Sequence, residues 1–370
     1  MSATLAPAGP SVVAGLPTPA QLRAVYPVGP QQQAEIARHR RAIVDVLDGT
    51  DDRLLVVVGP CSVHDTSAGL HYARQLADVA AELGDDLLIV LRTYLEKPRT
   101  TVGWKGLLVD PYLDDTQDLC AGLRLGREFL CQAADLGLPL AYEFVEPMFA
   151  PYLADLVSWA AIGARTVASQ PHRQLASALP MPVGMKNTTS GDVRAAAEAV
   201  HAAAVAHVYA GLTLDGHPAV LHSAGNRDCH VVLRGGPTPN YDAVSVASAL
   251  AILWDAGLPA RLMVDASHGN SGKDHRRQPL VVADLAAQLA AGERGLVGVM
   301  VESFLGEGRQ EIDSTPLRYG VSVTDGCLGW TATRDALDTL AGAVRQRRRA
   351  SAALPPSPVA GQPAGLAGRS

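Results

Sequence analysis

Short runs of apolar, largely β-branched residues recur eight times along the chain, and this repetition constrains the fold more than any other feature. The runs cover residues 53–59, 87–93, 139–144, 162–167, 182–187, 230–235, 261–268 and 296–303. Ala/Leu-rich stretches with helical spacing lie between most of them. Runs that are apolar on both faces indicate parallel strands covered by helices. Eight strand–helix repeats predict an α/β fold, the (β/α)8 TIM barrel.

The main alternative is a doubly wound open sheet. Such a sheet usually carries a Gly-rich phosphate loop after its first strand. Here the first run is followed by "GPCSVHD", residues 59–65, which is not a loop of that kind. The barrel is therefore the preferred fold.

Composition changes along the chain predict its organisation. Residues 1–50 form an N-terminal extension, of which about the first 20 are rich in Ala and Pro and are predicted to be disordered, followed by a helix over 31–48. Residues 51–349 form the barrel, and residues 350–370 are predicted to be a disordered tail. Within the barrel, residues 205–229 are read as an exterior β-hairpin insertion that turns at Asp215-Gly216.

Charge and cysteine usage exclude several classes of protein. The formal net charge of −6 over 370 residues gives no sign of a nucleic-acid partner. The Arg-rich run 345–349 could form a nucleic-acid patch, but the end of a last helix, exposed to solvent, is the simpler interpretation. No apolar run approaches the roughly 18 residues of a membrane span, and the N-terminus does not resemble a signal peptide. Five cysteines without paired spacing argue against a disulfide framework and favour a reducing cytoplasm.

Each predicted strand ends in a polar or reactive residue, and in a barrel these ends converge on the face that carries the active site. In chain order they are Cys61, Arg92, Glu143, Arg165, Lys186, Arg234, His268 and Glu302. The four cations among them predict an anion site, because guanidinium and ammonium groups match carboxylate and phosphate. Ion pairing is the alternative, and we expect few carboxylates on this face to support it.

Lysine is scarce in this chain, so the surviving lysines are informative. Only four of the 31 basic residues are lysines, namely Lys97, Lys105, Lys186 and Lys273. Lys97 and Lys105 flank Arg99 in the segment "LRTYLEKPRTTVGWKG" after the second strand. These residues give the mouth of the barrel enough positive charge for more than one anionic group.

A second group of strand-end residues suits a metal ion. Cys61, His268 and Glu302 offer thiolate, imidazole and carboxylate, and Asp325 after the last strand is the candidate fourth ligand. Alone, Cys61 would be a buried apolar residue and His268 an ordinary loop residue. Together, this mixture of soft and hard donors favours Mn²⁺, Fe²⁺, Co²⁺ or Zn²⁺ over Mg²⁺ and Ca²⁺.

Long motifs are spread over residues 50–345. They read "GPCSVHD", "EKPRTTVGWKGL", "IGARTVASQPHRQLAS", "GMKN", "LRGG", "PNYD", "VDASHGNSGKDHRRQP", "GVMVES" and "SVTDGC". These motifs resemble the microbial, feedback-regulated-type branch of the type I 3-deoxy-D-arabino-heptulosonate 7-phosphate (DAHP) synthases. The resemblance implies a metal-dependent condensation of phosphoenolpyruvate with D-erythrose 4-phosphate to DAHP and phosphate. That reaction is the first step of the shikimate pathway to aromatic amino acids. A homo-oligomer, dimer or tetramer, is also implied.

The resemblance also implies roles for individual residues. The metal ligands are Cys61, His268, Glu302 and Asp325. The residues that bind phosphoenolpyruvate are Arg92, Gly163, Ala164, Arg165, Lys186 and Arg234, and those that bind the aldose phosphate are Arg99 and Thr100. Lys97 and His268 are the predicted catalytic residues, with Lys97 contacting phosphoenolpyruvate and the water at the metal. Among cations, Lys97 is expected to have a lowered pKa that lets it give a proton to the new alkoxide.

The chain departs from feedback-inhibited relatives at two places. Residues 1–15 do not match their longer, charged N-terminal segment, which pairs with the hairpin to form an aromatic amino acid site. Pro180 replaces a serine that is common there, so a hydroxyl is lost. Weak or absent feedback inhibition is therefore expected.

Two other functions remain as alternatives. The nearest is a synthase that makes keto-deoxyoctulosonate phosphate from arabinose 5-phosphate with the same barrel, although "KPRTTVGWKG" favours the DAHP group. The other is a non-catalytic phosphosugar-binding relative, which would be expected to lack a metal ligand or Lys97.

Overall fold

A computed structural model of the chain describes residues 9–353, with ten α-helices and ten β-strands in that range. The helices are α1 (Pro19–Val25), α2 (Pro30–Leu47), α3 (Thr66–Glu82), α4 (Leu119–Ala134), α5 (Ala150–Leu153), α6 (Gln170–Ala178), α7 (Arg194–Ala203), α8 (Ala243–Asp255), α9 (Gln278–Ala290) and α10 (Trp330–Ala353). The strands are β1 (Leu54–Gly59), β2 (Leu87–Arg92), β3 (Leu140–Glu143), β4 (Trp159–Ile162), β5 (Val183–Lys186), β6 (His207–Leu212), β7 (Pro218–Ser223), β8 (His230–Leu233), β9 (Leu262–Asp265) and β10 (Leu296–Glu302).

Eight of the strands close into a parallel barrel, as the sequence predicts. Their order around the ring is β1, β10, β9, β8, β5, β4, β3, β2, and β2 pairs with β1 to close it. Pairing of Gly59 with Glu302 sets the register between β1 and β10. Because all eight strands are parallel, their carboxyl ends meet on one face.

The apolar runs form strands because both of their faces are covered. Every residue of β1, β2, β8 and β9 is buried. Side chains pointing into the barrel, such as Val57, Trp159 and Met300, form one cluster, and the opposite faces pack against the helices. Ile43, Val46 and Leu47 of α2 belong to the interior cluster, so the N-terminal extension closes the amino-terminal end of the barrel.

The prediction for the fourth strand is wrong in its position. The strand is Trp159–Ile162, whereas 164–168 forms a turn. Ala160 and Ala161 are small and apolar enough to fill the barrel wall beside the buried Trp159. Arg165 therefore lies in the loop after β4 and not at the end of the strand itself.

The structure also gives the positions of the predicted hairpin and of parts of the two terminal segments. Strands β6 and β7 form an antiparallel hairpin outside the barrel, with Gly216 at φ +79° in its turn. Residues 9–18 contain no helix or strand, and α10 continues past residue 349 to Ala353. The disorder predicted for residues 1–8 and 354–370 lies outside the described residues. Within residues 9–353, no helix is both long and apolar enough to cross a membrane.

Candidate active site

A cavity of about 740 Å³ opens at the carboxyl ends of the barrel strands. Its walls come from the last residues of β2, β3 and β5 and from the loops that follow β1, β2, β4, β5, β8, β9 and β10. Residues predicted for the site that line this cavity are Cys61, Arg92, Lys97, Arg99, Thr100, Ala164, Arg165, Lys186, Arg234, His268 and Asp325. The structure thus brings together most of the residues that the sequence singled out.

Three of the four predicted metal ligands form a compact cluster. One donor atom each of Cys61, Glu302 and Asp325 lies within 4.8 Å of the other two. Cys61 follows β1 after the Gly59-Pro60 break, and Glu302 is the last residue of β10. The loop carrying Asp325 is tied back to the barrel, because the Leu328 N–H donates to the Glu302 carbonyl at 2.9 Å.

His268, the fourth predicted ligand, stands just outside this cluster. Its Nδ1 lies 2.7 Å from Ser267 Oγ and 2.9 Å from Asp265 Oδ2, which leaves Nε2 on the side of Glu302, 3.8 Å from Oε1. The His268 backbone has φ +52°, an uncommon conformation for a residue with a side chain. A buried carboxylate behind an imidazole is the arrangement that orients metal-binding histidines.

Lys97 connects two members of the cluster. Its Nζ lies 2.8 Å from Cys61 Sγ and 2.8 Å from Asp325 Oδ2. Burial lowers the pKa of Lys97, but the acidic groups of Cys61 and Asp325, whose ionised forms favour the ammonium, outweigh burial and raise it above its usual value. The lowered pKa predicted from neighbouring cations is wrong, because the nearest groups to Lys97 are acidic.

The Cys61 thiol is not activated by its surroundings in this arrangement. Burial and the nearby Glu302 carboxylate raise its pKa to about 11, although Lys97 opposes them. The Asp325 carboxyl shows the opposite shift: burial raises its pKa, but Lys97 outweighs burial and holds the pKa well below its usual range. A site with a thiol and two carboxylates so close together, and an imidazole beside them, fits a divalent transition metal.

The cations on the other side of the cavity have more carboxylate partners than expected. Lys186 Nζ lies 3.1 Å from Glu143 Oε2 and 3.5 Å from Asp265 Oδ2. Arg92 donates to Glu302 Oε1 at 3.0 Å. The expectation that this face has few carboxylates is therefore wrong, because parallel strands bring Glu143, Asp265 and Glu302 to the same level.

Of the four strand-end cations, Arg165 and Arg234 are left for an external anion. Within residues 9–353 neither forms an ion pair: Arg165 Nε donates to Thr100 Oγ1 at 3.0 Å, and Arg234 Nη1 donates to the Gly235 carbonyl at 3.2 Å. Burial lowers the pKa of Arg234, as expected for a cation without enough compensating charge. These two guanidinium groups are the strongest anion-binding candidates in the cavity.

The loop after β2 supplies the remaining predicted residues. Arg99 Nε donates to the Trp104 carbonyl at 2.7 Å, which fixes Arg99 and Thr100 at the rim. Gly163 lies against the buried Glu143, so that a Cβ at this position would approach Glu143 Oε1 to 2.5 Å. Lys105, which was grouped with the cavity cations, is exposed and does not line the cavity.

Three residues of the site were missed as site residues in the sequence. The Tyr94 ring stacks under the Arg92 guanidinium at 3.7 Å, and its buried hydroxyl has no hydrogen-bond partner among the described residues. Asp265 orients His268, and Lys273 lines the cavity. Asp265 could have been found as the charged last residue of an apolar strand. The scarcity of lysine already pointed to Lys273.

Oxidation without metal should join Cys61 to Cys327. The Cys61 N–H donates to Cys327 Sγ at 3.4 Å, and both free thiols are buried. Joining them releases two electrons and two protons, which oxygen accepts. Because the Cys61 pKa is about 11, the reaction should be slow at neutral pH and faster as the pH rises.

The pairing can be measured by keeping chelator-treated protein in air and mapping its disulfides by mass spectrometry. Activity lost in air should return with reductant and metal, and Cys327→Ser should not show the reversible loss. Both cysteines found as free thiols after activity has been lost would contradict the prediction.

Comparisons with known proteins agree with this geometry. Residues 25–338 match the family described as the DAHP synthetase I family. The Tyr-sensitive phospho-2-dehydro-3-deoxyheptonate aldolase of Escherichia coli (strain K12) is 50% identical over 324 residues, 87% of this chain and 91% of that protein. The phospho-2-dehydro-3-deoxyheptonate aldolase of Corynebacterium glutamicum is 49% identical over 345 residues, 91% of this chain and 93% of that protein.

A solved structure is similar over nearly the same range. The phospho-2-dehydro-3-deoxyheptonate aldolase of Francisella tularensis SCHU S4 superposes with a TM-score of 0.90 at 42% identity, covering 92% of this chain and 100% of that one. With matches of this length in both sequence and fold, the chain belongs to the DAHP synthetase I family.

Proposed function

We propose that this enzyme condenses phosphoenolpyruvate with D-erythrose 4-phosphate, giving DAHP and phosphate at the entry to the shikimate pathway. The observation that carries the proposal is one cavity holding two kinds of group. A cluster of Cys61, Glu302 and Asp325 lies on one side, and Arg165 and Arg234, cations without ion-pair partners among residues 9–353, lie on the other. The cations can bind an anionic enol phosphate, and a metal ion at the cluster could polarise an aldehyde.

Each substrate has a matching group of residues. Arg165, Arg234 and Lys186 would hold the carboxylate and phosphate of phosphoenolpyruvate, with the Gly163 and Ala164 backbone beside them and Arg92 behind. Arg99 and Thr100 at the rim would bind the phosphate of the aldose. Binding both substrates in one cavity holds the enol carbon close to the aldehyde, which removes much of the entropic barrier to their reaction.

The metal would be held by Cys61, Glu302, Asp325 and His268. We propose Mn²⁺, Fe²⁺, Co²⁺ or Zn²⁺, since the thiol is a poor ligand for Mg²⁺ or Ca²⁺. When bound, such an ion supplies Lewis acidity toward the aldehyde oxygen. Lys97 lies between Cys61 and Asp325, where it can hold or deliver a proton at that oxygen.

Phosphate release from phosphoenolpyruvate tests the reaction. The metal-loaded enzyme is mixed with erythrose 4-phosphate or with arabinose 5-phosphate, and products are identified by mass spectrometry. We expect turnover and a seven-carbon product with erythrose 4-phosphate. An eight-carbon product formed faster from arabinose 5-phosphate would assign the chain to the other synthase. Binding without phosphate release from either aldose would indicate a non-catalytic relative.

Two further proposals concern where and in what form the enzyme works. We propose a cytoplasmic location, because all five cysteines are free thiols. We also propose a homo-oligomer, dimer or tetramer, without a nucleic-acid or membrane partner.

Feedback inhibition by aromatic amino acids should be weak. A second cavity of about 700 Å³ lies between α2, α6 and the hairpin, and Pro180 forms part of its wall. Proline offers neither a hydroxyl nor an N–H to a ligand. Inhibition curves for Phe, Tyr and Trp should show low sensitivity, and Pro180→Ser should increase sensitivity about fivefold by adding one hydrogen bond.

Val220→Ser is a matched control for that substitution. Val220 lies on the exposed face of the hairpin and does not line the cavity, so its replacement should leave inhibition unchanged. Strong inhibition of the unmodified enzyme by micromolar Phe or Tyr would contradict the prediction.

A further inference from the structure

The side chain of Gln278 pairs with the backbone of Glu302, one of the four residues proposed as metal ligands. Gln278 is the first residue of α9, and its Nε2 donates to the Glu302 carbonyl at 2.9 Å. The Glu302 N–H donates back to Gln278 Oε1 at 2.9 Å. Both residues are buried. The side-chain amide thus makes the two hydrogen bonds that a neighbouring strand would make.

The gap that Gln278 fills arises where β9 leaves the barrel. The last paired residues of β10 and β9 are Met300 and Asp265, and the Ala266 N–H donates to the Met300 carbonyl at 2.8 Å. In a parallel ladder that continued, the Glu302 N–H would donate to the Ala266 carbonyl, and the Glu302 carbonyl would accept from the His268 N–H. The His268 backbone instead turns to φ +52°. The turn that brings His268 to the cavity therefore removes a strand partner from Glu302.

Other contacts hold the end of β10 from the remaining directions. On the side of β1, the Ser303 N–H donates to the Gly59 carbonyl at 2.9 Å. The Glu302 carbonyl also accepts from the Leu328 N–H at 2.9 Å. The Glu302 N–H has Gln278 as its partner, and a buried N–H without a partner would be costly. Gln278 is therefore the contact that holds Glu302 where β9 no longer does.

The position of this backbone matters because the Glu302 carboxylate has several close neighbours. Its Oε1 accepts from Arg92 Nη2 at 3.0 Å and lies 3.8 Å from His268 Nε2. The same side chain forms the cluster with Cys61 and Asp325, in which one donor atom of each residue lies within 4.8 Å of the others. A shift of the strand end would change all of these distances together.

We propose that Gln278 is a positioning residue of the metal site, replacing the missing strand beside β10 and fixing the backbone from which Glu302 reaches the ion. This inference rests on the metal site proposed above. Removal of a group that orients a metal ligand typically lowers metal affinity by about 10- to 100-fold. Because Gln278 acts on the backbone of the ligand, we expect an effect at the lower end of that range.

Titration with Co²⁺ in the absence of both substrates measures the site without turnover. A bond between Co²⁺ and a thiolate gives a charge-transfer absorption, so binding at Cys61 can be followed directly, and Cys61→Ser gives the background. Gln278→Met keeps the length of the side chain but can make neither hydrogen bond to Glu302. It should raise the Kd for Co²⁺ about tenfold.

Gln288→Met is the matched control on the same helix. Gln288 is also buried and donates to the Tyr241 carbonyl at 2.9 Å, and neither of these residues lines the active-site cavity. The same replacement there should leave the Kd for Co²⁺ unchanged. Equal Kd values for the Gln278 and Gln288 variants would overturn the inference. If the unmodified protein binds no Co²⁺, the proposed metal site is wrong and the inference fails with it.

Thermal unfolding with and without Co²⁺ separates positioning from a general effect on folding. An ion that binds the folded state raises its stability by an amount set by the ion concentration relative to the Kd. If Gln278 only supports the fold, Gln278→Met should lower the Tm equally in both conditions. We expect instead that added Co²⁺ raises the Tm of Gln278→Met less than that of Gln288→Met. An equal rise in the two variants would overturn the inference.

Gln278→Asn repeats the measurement should Gln278→Met fail to fold. Asparagine keeps a polar amide at the start of α9 but is one methylene shorter, so it cannot make both bonds to Glu302. The Kd for Co²⁺ should again rise about tenfold. A Kd equal to that of the unmodified protein would show that the position of Glu302 does not depend on Gln278, and would overturn the inference.

Discussion

Chelation of divalent metal should abolish turnover, and Mn²⁺ or Co²⁺ should restore it. The reason is the cluster of Cys61, Glu302 and Asp325, whose donor atoms lie within 4.8 Å of one another. His268→Ala should lower activity to near background without unfolding the protein, because residues at the carboxyl ends of barrel strands serve function more than stability. Phosphate release after dialysis against chelator, followed by titration with metal, measures the effect.

Two variants sharpen this test. Asp265→Asn should weaken metal affinity by about 10- to 100-fold, because Asp265 orients His268 from behind at 2.9 Å. His222→Ala, on the exposed face of the hairpin, is the matched control and should not change metal dependence. Full activity in excess chelator would contradict the proposal that the enzyme needs a metal ion.

Lys97→Arg should remove most activity although the positive charge is kept. Lys97 Nζ fits between Cys61 Sγ and Asp325 Oδ2, at 2.8 Å from each. A planar guanidinium is larger and cannot place a point charge or a single N–H donor at that position. Loss of a general acid typically costs 10²–10⁴-fold, so we expect kcat to fall by about 100-fold or more while the KM for phosphoenolpyruvate changes less.

Lys105→Arg is the control on the same loop. The Lys105 side chain is exposed, and only its backbone carbonyl contacts Lys97, through the Lys97 N–H at 2.9 Å. Its replacement should leave kcat unchanged. If Lys97→Arg keeps near-normal turnover, Lys97 acts only as an electrostatic anchor and its role as an acid should be abandoned.

The barrel and its active face were predictable from local pattern. Runs such as "LLVVVG" are apolar on both faces, and a parallel strand in a barrel is one of few structures that cover both. The fourth strand was misplaced because "WAAI" is short and has only one β-branched residue, whereas the following "IGARTV" has a stronger strand composition. Burial of Trp159 inside the barrel decided its position.

The chemical types gathered at the site were also readable from the sequence. Cys61, Glu302 and Asp325 stand at or just beyond strand ends, and strand ends must converge in any parallel barrel. The sequence by itself determined the barrel, the face that carries the site and three of the residues that could hold a metal ion there.

Only the tertiary structure decided how these groups pair and titrate. Lys97 was expected to have a lowered pKa among cations, yet the groups within hydrogen-bond reach are Cys61 and Asp325, and they raise it. Lys186 was expected to be available to a bound anion, but the carboxylates of Glu143 and Asp265 already lie beside it. Electrostatic energies depend on distances of a few ångströms between residues that are here 36 to 228 positions apart, and on the burial of both groups. Local sequence determines which charges reach the mouth of the barrel, but the closed ring of strands determines which of them touch.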